Sequence, residues 1–533
     1  MAWPDRLLRA FGLQRVPQKR GSYVGAAINR LTLDWIRSSL SADKELEGDL
    51  LKLRARGRDL ARNNGYGRRF VKMAQNHIVG PRGIKLVPCN TMVNGKPRDD
   101  INDTVKAAWE RWGKPQFCSL TGKHSLTSMA RLMVAEWVTG GEGLTQIVLD
   151  RSLPFGIALQ PIDADRLDQD LHRPAGEGRN EIRYGVEISR IGRPLAYHIL
   201  RTHPSELQRY PGLARTHDVI PADQVIHLAL WDERVDLTRA PSQLAVAMRD
   251  LKHLDGAQEA SVIALRAAAS TMGFVTTKGD AADVETPDTD QEFESDPGVV
   301  KYLGLNQEFQ SWDATQPTDN YPDFTKAVLR GLAAGLGVSY SALANDLSDA
   351  NYSSMRVGRA EEQEQWMALQ QWFIDHWMER VFDAWINAAV LSGALTIPNY
   401  DVQKASAHKW QPRRWVSVDP VKDVTAFEKE LALGVNSRTR YTAGRGDDLW
   451  DIWDELEEEE DYAEEKDLDV APPRQPATGG TTHDSTSDGQ GDSADDTPED
   501  AAGDASGTGR GRPRQPRRGR QPDPDLALIR TAG

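Results

Sequence analysis

The two residues best placed by type and spacing to do chemistry are Asp163 and Asp165, separated by Ala164. Alternate residues of a strand point to the same side, so both carboxylates could face one Mg²⁺, as in a metal-dependent nuclease. Such a site needs further carboxylates, and the sequence singles out none. The alternative is a junction between strand and loop, where an aspartate caps or turns the backbone. The pattern favours this structural role over a metal site.

Other motifs of catalysis and cofactor binding are absent from the sequence. It has no Gly-x-x-x-x-Gly-Lys-Ser/Thr loop for a nucleotide, no His-Glu-x-x-His pair for zinc and no Gly-x-Ser-x-Gly nucleophile elbow. Cys89 and Cys118 are too few for a disulfide framework or a thiolate metal site. His198 and His227 fall in strand patterns that predict packed rings, and residues 141–143 are interpreted as a turn. We expect no catalytic, cofactor or metal site, and hence no enzyme.

Charge is segregated along the chain rather than evenly mixed. The formal net charge is −14, from 65 Lys and Arg against 79 Asp and Glu. Residues 52–72 and 510–520 are strongly basic, whereas 455–469 is strongly acidic. A protein that grips nucleic acid usually carries a basic excess, so any contact with DNA is expected to be loose and local. The Arg-rich segment 510–520 keeps open a second interpretation, a monomeric nucleic-acid-binding protein.

Hydrophobic periodicity predicts an α+β protein, with helices before and after a β-rich middle. The predicted helices are 43–79, a stretch with Trp109 and Trp112, 125–139, 241–270, 322–337, 354–391, 423–434 and 447–465. The predicted strands are 84–87, 144–150, 157–162, 184–188, 195–199 and 225–230. Beyond about residue 470 the polar composition predicts a disordered tail. No apolar run approaches the roughly 18 residues of a membrane span, so no membrane contact is expected.

The helix over 354–391 is the most aromatic part of the sequence. Its large apolar residues recur every four positions, which places them on one helix face. The candidates for this packing are Trp366, Phe373, Trp377 and Trp385. Aromatic rings in this arrangement predict burial, either in the core of the chain or at a contact between subunits, rather than ligand stacking.

Five blocks of sequence stand out together, in order along the chain. They are 58–66 with 79–84, 159–167, 185–198, 220–227 and 329–356. The last is the most distinctive and begins Leu329-Arg330-Gly331-Leu332-Ala333-Ala334-Gly335-Leu336-Gly337-Val338-Ser339-Tyr340. Together the blocks resemble the lambda-type family of phage portal proteins. Residues 231–236 depart from the Arg-rich stretch that the family has after its Val-Ile-His strand, which affects local loop contacts.

The resemblance implies a portal-type fold with a helical stem, a β-containing wing and clip, a helical crown and a disordered C-terminal tail. Element order assigns the segments as 1–42 N-terminal arm, 43–240 wing, 241–270 first stem helix, 271–318 clip, 319–338 second stem helix, 339–354 channel loop, 355–422 wing and long helix, 423–469 crown and 470–533 tail. The polar loop 339–354 is expected to be flexible and to enter the channel.

The resemblance also implies a ring of identical subunits, typically twelve, at one capsid vertex of the virion, with assembly in the host cytoplasm. Double-stranded DNA would pass without sequence specificity, and the protein partners would be the terminase large subunit, head-completion or adaptor proteins, and capsid and scaffold proteins. The DNA-channel candidates are Lys326, Arg330, Asn345, Asp346, Ser348, Asn351 and Ser353. Lys326 and Arg330 could contact phosphates or form salt bridges between subunits, and the sequence leaves both open.

Overall fold

The computed structural model describes most of the chain. The described residues are 30, 39–91, 98–206, 215–269, 273–277, 307–311, 321–348, 352–397, 406–415, 420–447 and 449–466. Residues 1–459 contain one compact unit, and the described part of a second unit, residues 460–533, is helical. Within these ranges no helix is long and apolar enough to span a lipid bilayer.

Helices occupy both ends of the described chain. They are α1 Ala42–Leu46, α2 Leu50–Asn63, α3 Gly65–Ala74, α4 Asp99–Trp112, α5 Pro115–Cys118, α6 Leu126–Gly140, α7 Met248–Ala269, α8 Tyr321–Gly335, α9 Tyr340–Ala344, α10 Tyr352–Phe373, α11 Glu379–Leu391, α12 Pro420–Ala432, α13 Arg438–Arg445 and α14 Leu449–Lys466. A π-helical turn, Gln75–Val79, follows α3, and a second, Ile374–Met378, joins α10 to α11. The mixture of helix and sheet that was predicted is confirmed.

The strands form small antiparallel sheets. They are β1 Lys85–Pro88, β2 Glu142–Leu149, β3 Ile157–Ile162, β4 Glu181–Arg183, β5 Val186–Ile188, β6 Pro194–Leu200, β7 His217–Pro221, β8 Val225–Ala229, β9 Gly273–Thr277, β10 Gln307–Ser311 and β11 His408–Gln411. The strand orders are β3-β2-β8, β4-β5-β6-β7, β1-β11 and β9-β10. Most of the predicted strands are present, but β4, β7, β9, β10 and β11 were not among them.

The sheet β3-β2-β8 is buried on both faces and divides the hydrophobic core. On β2, Ile147 packs into the large core formed mainly with the helices. Leu144 points the opposite way, into a smaller core shared with the sheet β4-β5-β6-β7. The register places Leu144 opposite Ile162 and Ile147 opposite Leu159, so each face is apolar across neighbouring strands. This double burial holds the first six residues of β2, whereas Leu149 at its other end is exposed.

The prediction of one helix over 43–79 is wrong, because the backbone breaks twice. Gly48 has a φ of +81°, a left-handed conformation that ends the first short helix. Asn64 is extended, and its side chain accepts a hydrogen bond from Gly67 N at 2.8 Å, which caps the start of α3. Gly67 has no side chain, and an added Cβ would lie 2.9 Å from the Leu60 carbonyl oxygen. The tight turn therefore folds α2 against α3.

Two further boundaries differ from the prediction. Tyr184 has a φ of +49° and lies in the turn between β4 and β5, so the strand expected over 184–188 is shorter at its start. The helix expected to begin at Pro241 begins at Met248 instead. The preceding turns are held by Ser242, whose hydroxyl donates to the Val138 carbonyl of α6 at 2.9 Å. Tertiary hydrogen bonds have overridden the helical periodicity in this stretch.

The later segments are described unevenly. The predicted loop 339–354 contains α9 and the first turn of α10, so the expectation of a wholly irregular loop is wrong. A third helix, α13, lies between the two that were predicted near the C-terminal end. Within 271–318 the described residues form the antiparallel strand pair β9-β10. The predicted disordered tail 470–533 and most of the arm 1–42 lie outside the described residues.

Candidate functional site

The channel candidates meet where α8 turns into α9. Leu329, Leu332 and Ala333 are buried along α8. Arg330 is on the exposed side, and its guanidinium lies 5.5 Å above the centre of the Tyr340 ring. Such a cation–π contact holds the positive charge over the aromatic face while leaving the side chain open to solvent.

A hydrogen-bonded turn continues from Tyr340. Its hydroxyl donates to Asp346 Oδ2 at 2.7 Å, and Asp346 Oδ1 accepts from Ser348 N at 3.0 Å and Ser348 Oγ at 2.7 Å. The hydrogen bonds from Ser348, followed by that from Tyr340, lower the pKa of Asp346 to about 2. Asn345 ends α9 in the left-handed conformation and is exposed. Residues 339–348 thus form a hydrogen-bonded turn that carries a charged carboxylate.

The other channel candidates are not part of this turn. Lys326 lies one helical turn before Arg330 and also favours the ionised form of Asp346. Ser353 is in the first turn of α10, and Asn351 lies outside the described residues. The structure therefore brings together Lys326, Arg330, Asn345, Asp346 and Ser348, with Tyr340 as the connecting ring.

The aspartates considered as metal ligands are bound by arginine. Asp163 follows β3 and caps the short helical turn Ala164–Arg166, accepting from Asp165 N at 3.0 Å. Arg58 donates to Asp163 at 2.7 Å and to Asp165 at 2.5 Å, and Arg54 donates to Asp165 at 2.5 Å. Burial alone would raise the pKa of Asp165, but Arg54 and then Arg58 hold it below its usual value.

His203 brings a third possible ligand atom close to this pair, since its Nε2 lies 3.5 Å from Asp165 Oδ2. Both carboxylates nevertheless already form ion pairs with guanidinium groups, Asp163 with Arg58 and Asp165 with Arg54 and Arg58. Asp163 and Asp165 accordingly fit the structural role, in which an aspartate caps a turn and pairs with arginine, better than a magnesium site.

A buried carboxylate, Glu142, forms the most strongly charged part of the interior. Its side chain is completely buried at the start of β2, and it accepts hydrogen bonds from Arg54 at 2.7 Å and from Arg239, which is itself 0 % exposed. His227 Nε2 lies 2.9 Å from the other carboxylate oxygen. Burial alone would raise the pKa of Glu142, but Arg239, the hydrogen bond from His227 and Arg54 lower it well below its usual range.

Sequence reasoning missed this group, because residues 141–143 were interpreted as a turn. Only Gly141 turns, with a φ of +89°, and an added Cβ would lie 2.1 Å from the Ala240 carbonyl oxygen. Glu142 then enters the strand. The partners Arg54 and Arg239 stand far away in sequence, and no local pattern marks them as a pair. His227 is packed and hydrogen-bonded, as expected.

The four aromatic candidates, three on α10 and α11 and Trp377 in the π turn between them, lie in the core of the chain. Trp366, Phe373, Trp377 and Trp385 are at most 3 % exposed. Phe373 stacks on Trp377, whose indole N–H donates to Thr145 Oγ1 of β2 at 3.1 Å. The ring of Trp385 lies 5.0 Å from that of Trp109 in α4. Of the two roles that the sequence left open, packing within one chain accounts for these side chains.

His77 is held in the π turn between two indole rings. Its ring centre lies 5.1 Å from that of Trp366 and 5.9 Å from that of Trp415. Trp415 Nε1 donates to His77 Nδ1 at 2.9 Å, so this nitrogen must be an unprotonated acceptor. Burial, followed by the charge of Arg413, lowers the pKa of His77 from 6.5 to about 4. The imidazole is therefore neutral in the fold at pH 7.

We predict that Glu142→Gln destabilises the protein strongly. The amide keeps the shape of the side chain but leaves Arg239 buried without an opposing charge and leaves Arg54 paired with Asp165 alone, at a cost of about 3–5 kcal/mol in unfolding free energy. Urea denaturation followed by tryptophan fluorescence measures the change. Glu181→Gln is the control: Glu181 pairs with Arg183 on the surface, where the loss is below about 1 kcal/mol. Equal losses in both variants would contradict the importance of the buried group.

We also predict an acid-sensitive contribution from His77. Because the folded pKa lies below the unfolded value, the unfolded chain takes up a proton between pH 6.5 and about 4 while the folded chain does not. This group therefore removes stability as the pH falls through that window, by about 1.4 kcal/mol per pH unit. The variant His77→Phe should have an unfolding free energy that depends less on pH within this window. Above pH 7 its unfolding free energy should differ from that of the wild type by a constant amount. Parallel curves for both proteins across the window would contradict the prediction.

Comparison with known proteins agrees with the resemblance seen in the sequence. The family model described as phage portal protein, lambda family, matches residues 29–370. A probable portal protein of Halomonas phage phiHAP-1 is 28% identical over 457 residues, which cover 84% of this chain and 87% of that protein. Portal protein B of Escherichia phage lambda is 23% identical over 460 residues, covering 79% and 85%.

Among solved structures, a chain in the neck of an empty GTA particle is 15% identical to this one, with a TM-score of 0.46. The match covers 74% of this chain and 92% of that chain. The family model spans well over half of the sequence. The chain therefore belongs to the lambda family of phage portal proteins.

Proposed function

We propose that this chain is the subunit of a ring at one capsid vertex, through which double-stranded DNA is packaged and later ejected. The observation that carries the proposal is the match of the portal family model over residues 29–370. The ring is the head–tail connector of the virion and a docking platform for other proteins of the particle. With twelve subunits, its heterologous contacts close by rotation.

The order of elements supports an assignment of the parts of the ring. In this assignment α7 is the first stem helix, the strand pair β9-β10 belongs to the clip, and α8 is the second stem helix. The turn 339–348 borders the channel, the two sheets around β2 form the wing, and α12–α14 form the crown. The support is the sequence of a long helix, a strand pair, a second helix and a short turn.

The mechanism follows from the charges. A chain with a net charge of −14 repels phosphates on average, so a duplex can slide past it without being held. Exposed Arg330 and half-buried Lys326 provide weak contacts to the DNA backbone, which carry no sequence information. The sequence has no nucleotide-binding loop, so we assign the energy for packaging to a terminase large subunit docked at the clip. Head-completion proteins take that place later.

We predict that the purified full-length protein forms a ring. Native mass spectrometry should give a species of twelve copies of the 59.2 kDa chain. The same mass is expected in EDTA and for Asp163→Asn, because the carboxylate binds arginine rather than a metal.

A monomer at every salt and protein concentration would contradict the proposal. Loss of DNA cleavage in EDTA would then favour a nuclease that uses Asp163 and Asp165. Loss of DNA affinity after truncation at about residue 470 would instead favour a monomeric protein that binds through its Arg-rich tail.

A further inference from the structure

The π turn Gln75–Val79 is surrounded by positive side chains that we call the arginine cluster: Arg69, Arg131, Arg359 and Arg413. Arg413 Nη1 donates to the Asn76 carbonyl at 2.7 Å, and Arg131 Nη2 donates to the Asn76 side chain at 2.9 Å. Arg69 Nε donates to the Ala342 carbonyl of α9 at 3.1 Å. Through Arg69, the cluster contacts the 339–348 turn.

The positive charges of the cluster affect one another. Burial, and then the charge of Arg359, lower the pKa of Arg413. Arg413, Arg359 and Arg69 each add to the effect of burial on the pKa of His77. Like charges are therefore close enough to interact, which is unfavourable unless an anion offsets them.

Within the described part of the chain, no carboxylate forms an ion pair with any member of the cluster. Glu362 is the acidic group whose charge opposes theirs at His77. Its carboxylate already accepts from Ser339 Oγ at 2.6 Å and from Trp366 Nε1 at 3.1 Å. At His77 the charge of this one carboxylate opposes those of Arg413, Arg359 and Arg69, so positive charge is in excess at that position. Asp346 of the turn, and Glu361 and Glu364 exposed on α10, are further acidic groups of the same elements.

Capping of helix carbonyls explains only half of the cluster. Arg131 and Arg413 donate to groups at the end of the turn, which is a common role of arginine there. Arg69 and Arg359 are exposed. Arg359 makes no hydrogen bond to the described residues, and the terminal nitrogens of Arg69 make none either. Within the described part of the chain, these N–H groups are therefore able to donate hydrogen bonds to a ligand.

The helix α3 extends the positive surface. Arg68 and Lys72 lie on the same side of α3 as Arg69, are exposed and form no ion pair within the described ranges. Charges spread along a helix match an extended polyanion better than a compact acidic patch. The fork of a guanidinium group matches the oxygens of a phosphate.

We infer that Arg69, Arg359 and Arg413 form a phosphate-binding surface for the backbone of double-stranded DNA, next to the 339–348 turn. This inference rests on the proposed function and adds DNA contacts from α3 and α10 to those of Lys326 and Arg330. The contacts are made to phosphates, so the surface does not distinguish sequences.

The test compares two double variants of the full-length protein. Arg69→Gln with Arg359→Gln removes two exposed charges of the cluster. Arg179→Gln with Arg190→Gln is the matched control, since both side chains are exposed and form no ion pair in the described structure. Fluorescence anisotropy of a labelled duplex of about 30 base pairs, from about 50 to 300 mM salt, gives the slope of log affinity against log salt.

We expect the cluster variant to reduce the magnitude of this slope by about 2 for each subunit that contacts the duplex, because each lost phosphate contact contributes about 0.9. The control should keep the wild-type slope, and native mass spectrometry should show the same ring for all three proteins. An unchanged slope in the cluster variant would overturn the inference. Loss of the ring in the cluster variant alone would also overturn the inference, because it would show that the arginines contact an acidic surface of a neighbouring copy.

If the wild-type protein forms no ring, the portal function fails on that result. The salt dependence of DNA affinity can still be measured on the species that is present, and it tests the phosphate-binding surface separately. Failure of the portal function and failure of this inference are therefore distinguishable.

Discussion

The arrangement of the described chain depends on the buried charge of Glu142. A carboxylate without solvent is stable only when cations and hydrogen-bond donors surround it. Arg54 of α2 and Arg239, from the segment that leads to α7, supply them. Arg239 also donates to the carbonyls of Ala164 and Tyr184, which belong to the connections of both sheets. One group thus holds the opening helices, the two sheets and the approach to α7 in a single arrangement.

Contacts from the opening helices connect this arrangement to the α8–α9 segment. Arg58, one turn after Arg54, pairs with Asp163 and Asp165, so α2 is fastened to the end of β3 as well as to β2. The π turn that follows α3 packs His77 against Trp366 of α10, and Arg69 reaches the carbonyl of Ala342. The turn that we assign to the channel border is therefore connected to the core by direct side-chain contacts.

Hydrophobic spacing was sufficient to predict α6, β3 and the aromatic face of α10 and α11, because those elements bury one face or both. It could not predict that Asn64 divides a helical pattern, since the break depends on a side-chain cap and on close packing against Gly67. The spacing of Lys326 and Arg330 indicated a shared helix face, but the contact of Arg330 with Tyr340 depends on the fold. The pairing of β1 with β11 joins distant parts of the chain and leaves no local signal.

Asp163 and Asp165 show the same limit at the candidate site. Their types and spacing were noticed, yet their role is determined by Arg54 and Arg58, which lie on a separate helix. A metal ligand and a partner of arginine have the same sequence pattern, and only the neighbouring charges distinguish the two. Those neighbours favour a structural role for Asp163 and Asp165.

The central claim is that many copies of this chain enclose a passage for DNA. Electron cryomicroscopy of the purified full-length protein tests it most directly. The account predicts a closed ring around an open axis, with α8 and the 339–348 turn facing that axis and the arginine cluster beside it. A closed ring that directs α8 and the turn away from the axis, or particles without rotational symmetry, would contradict it.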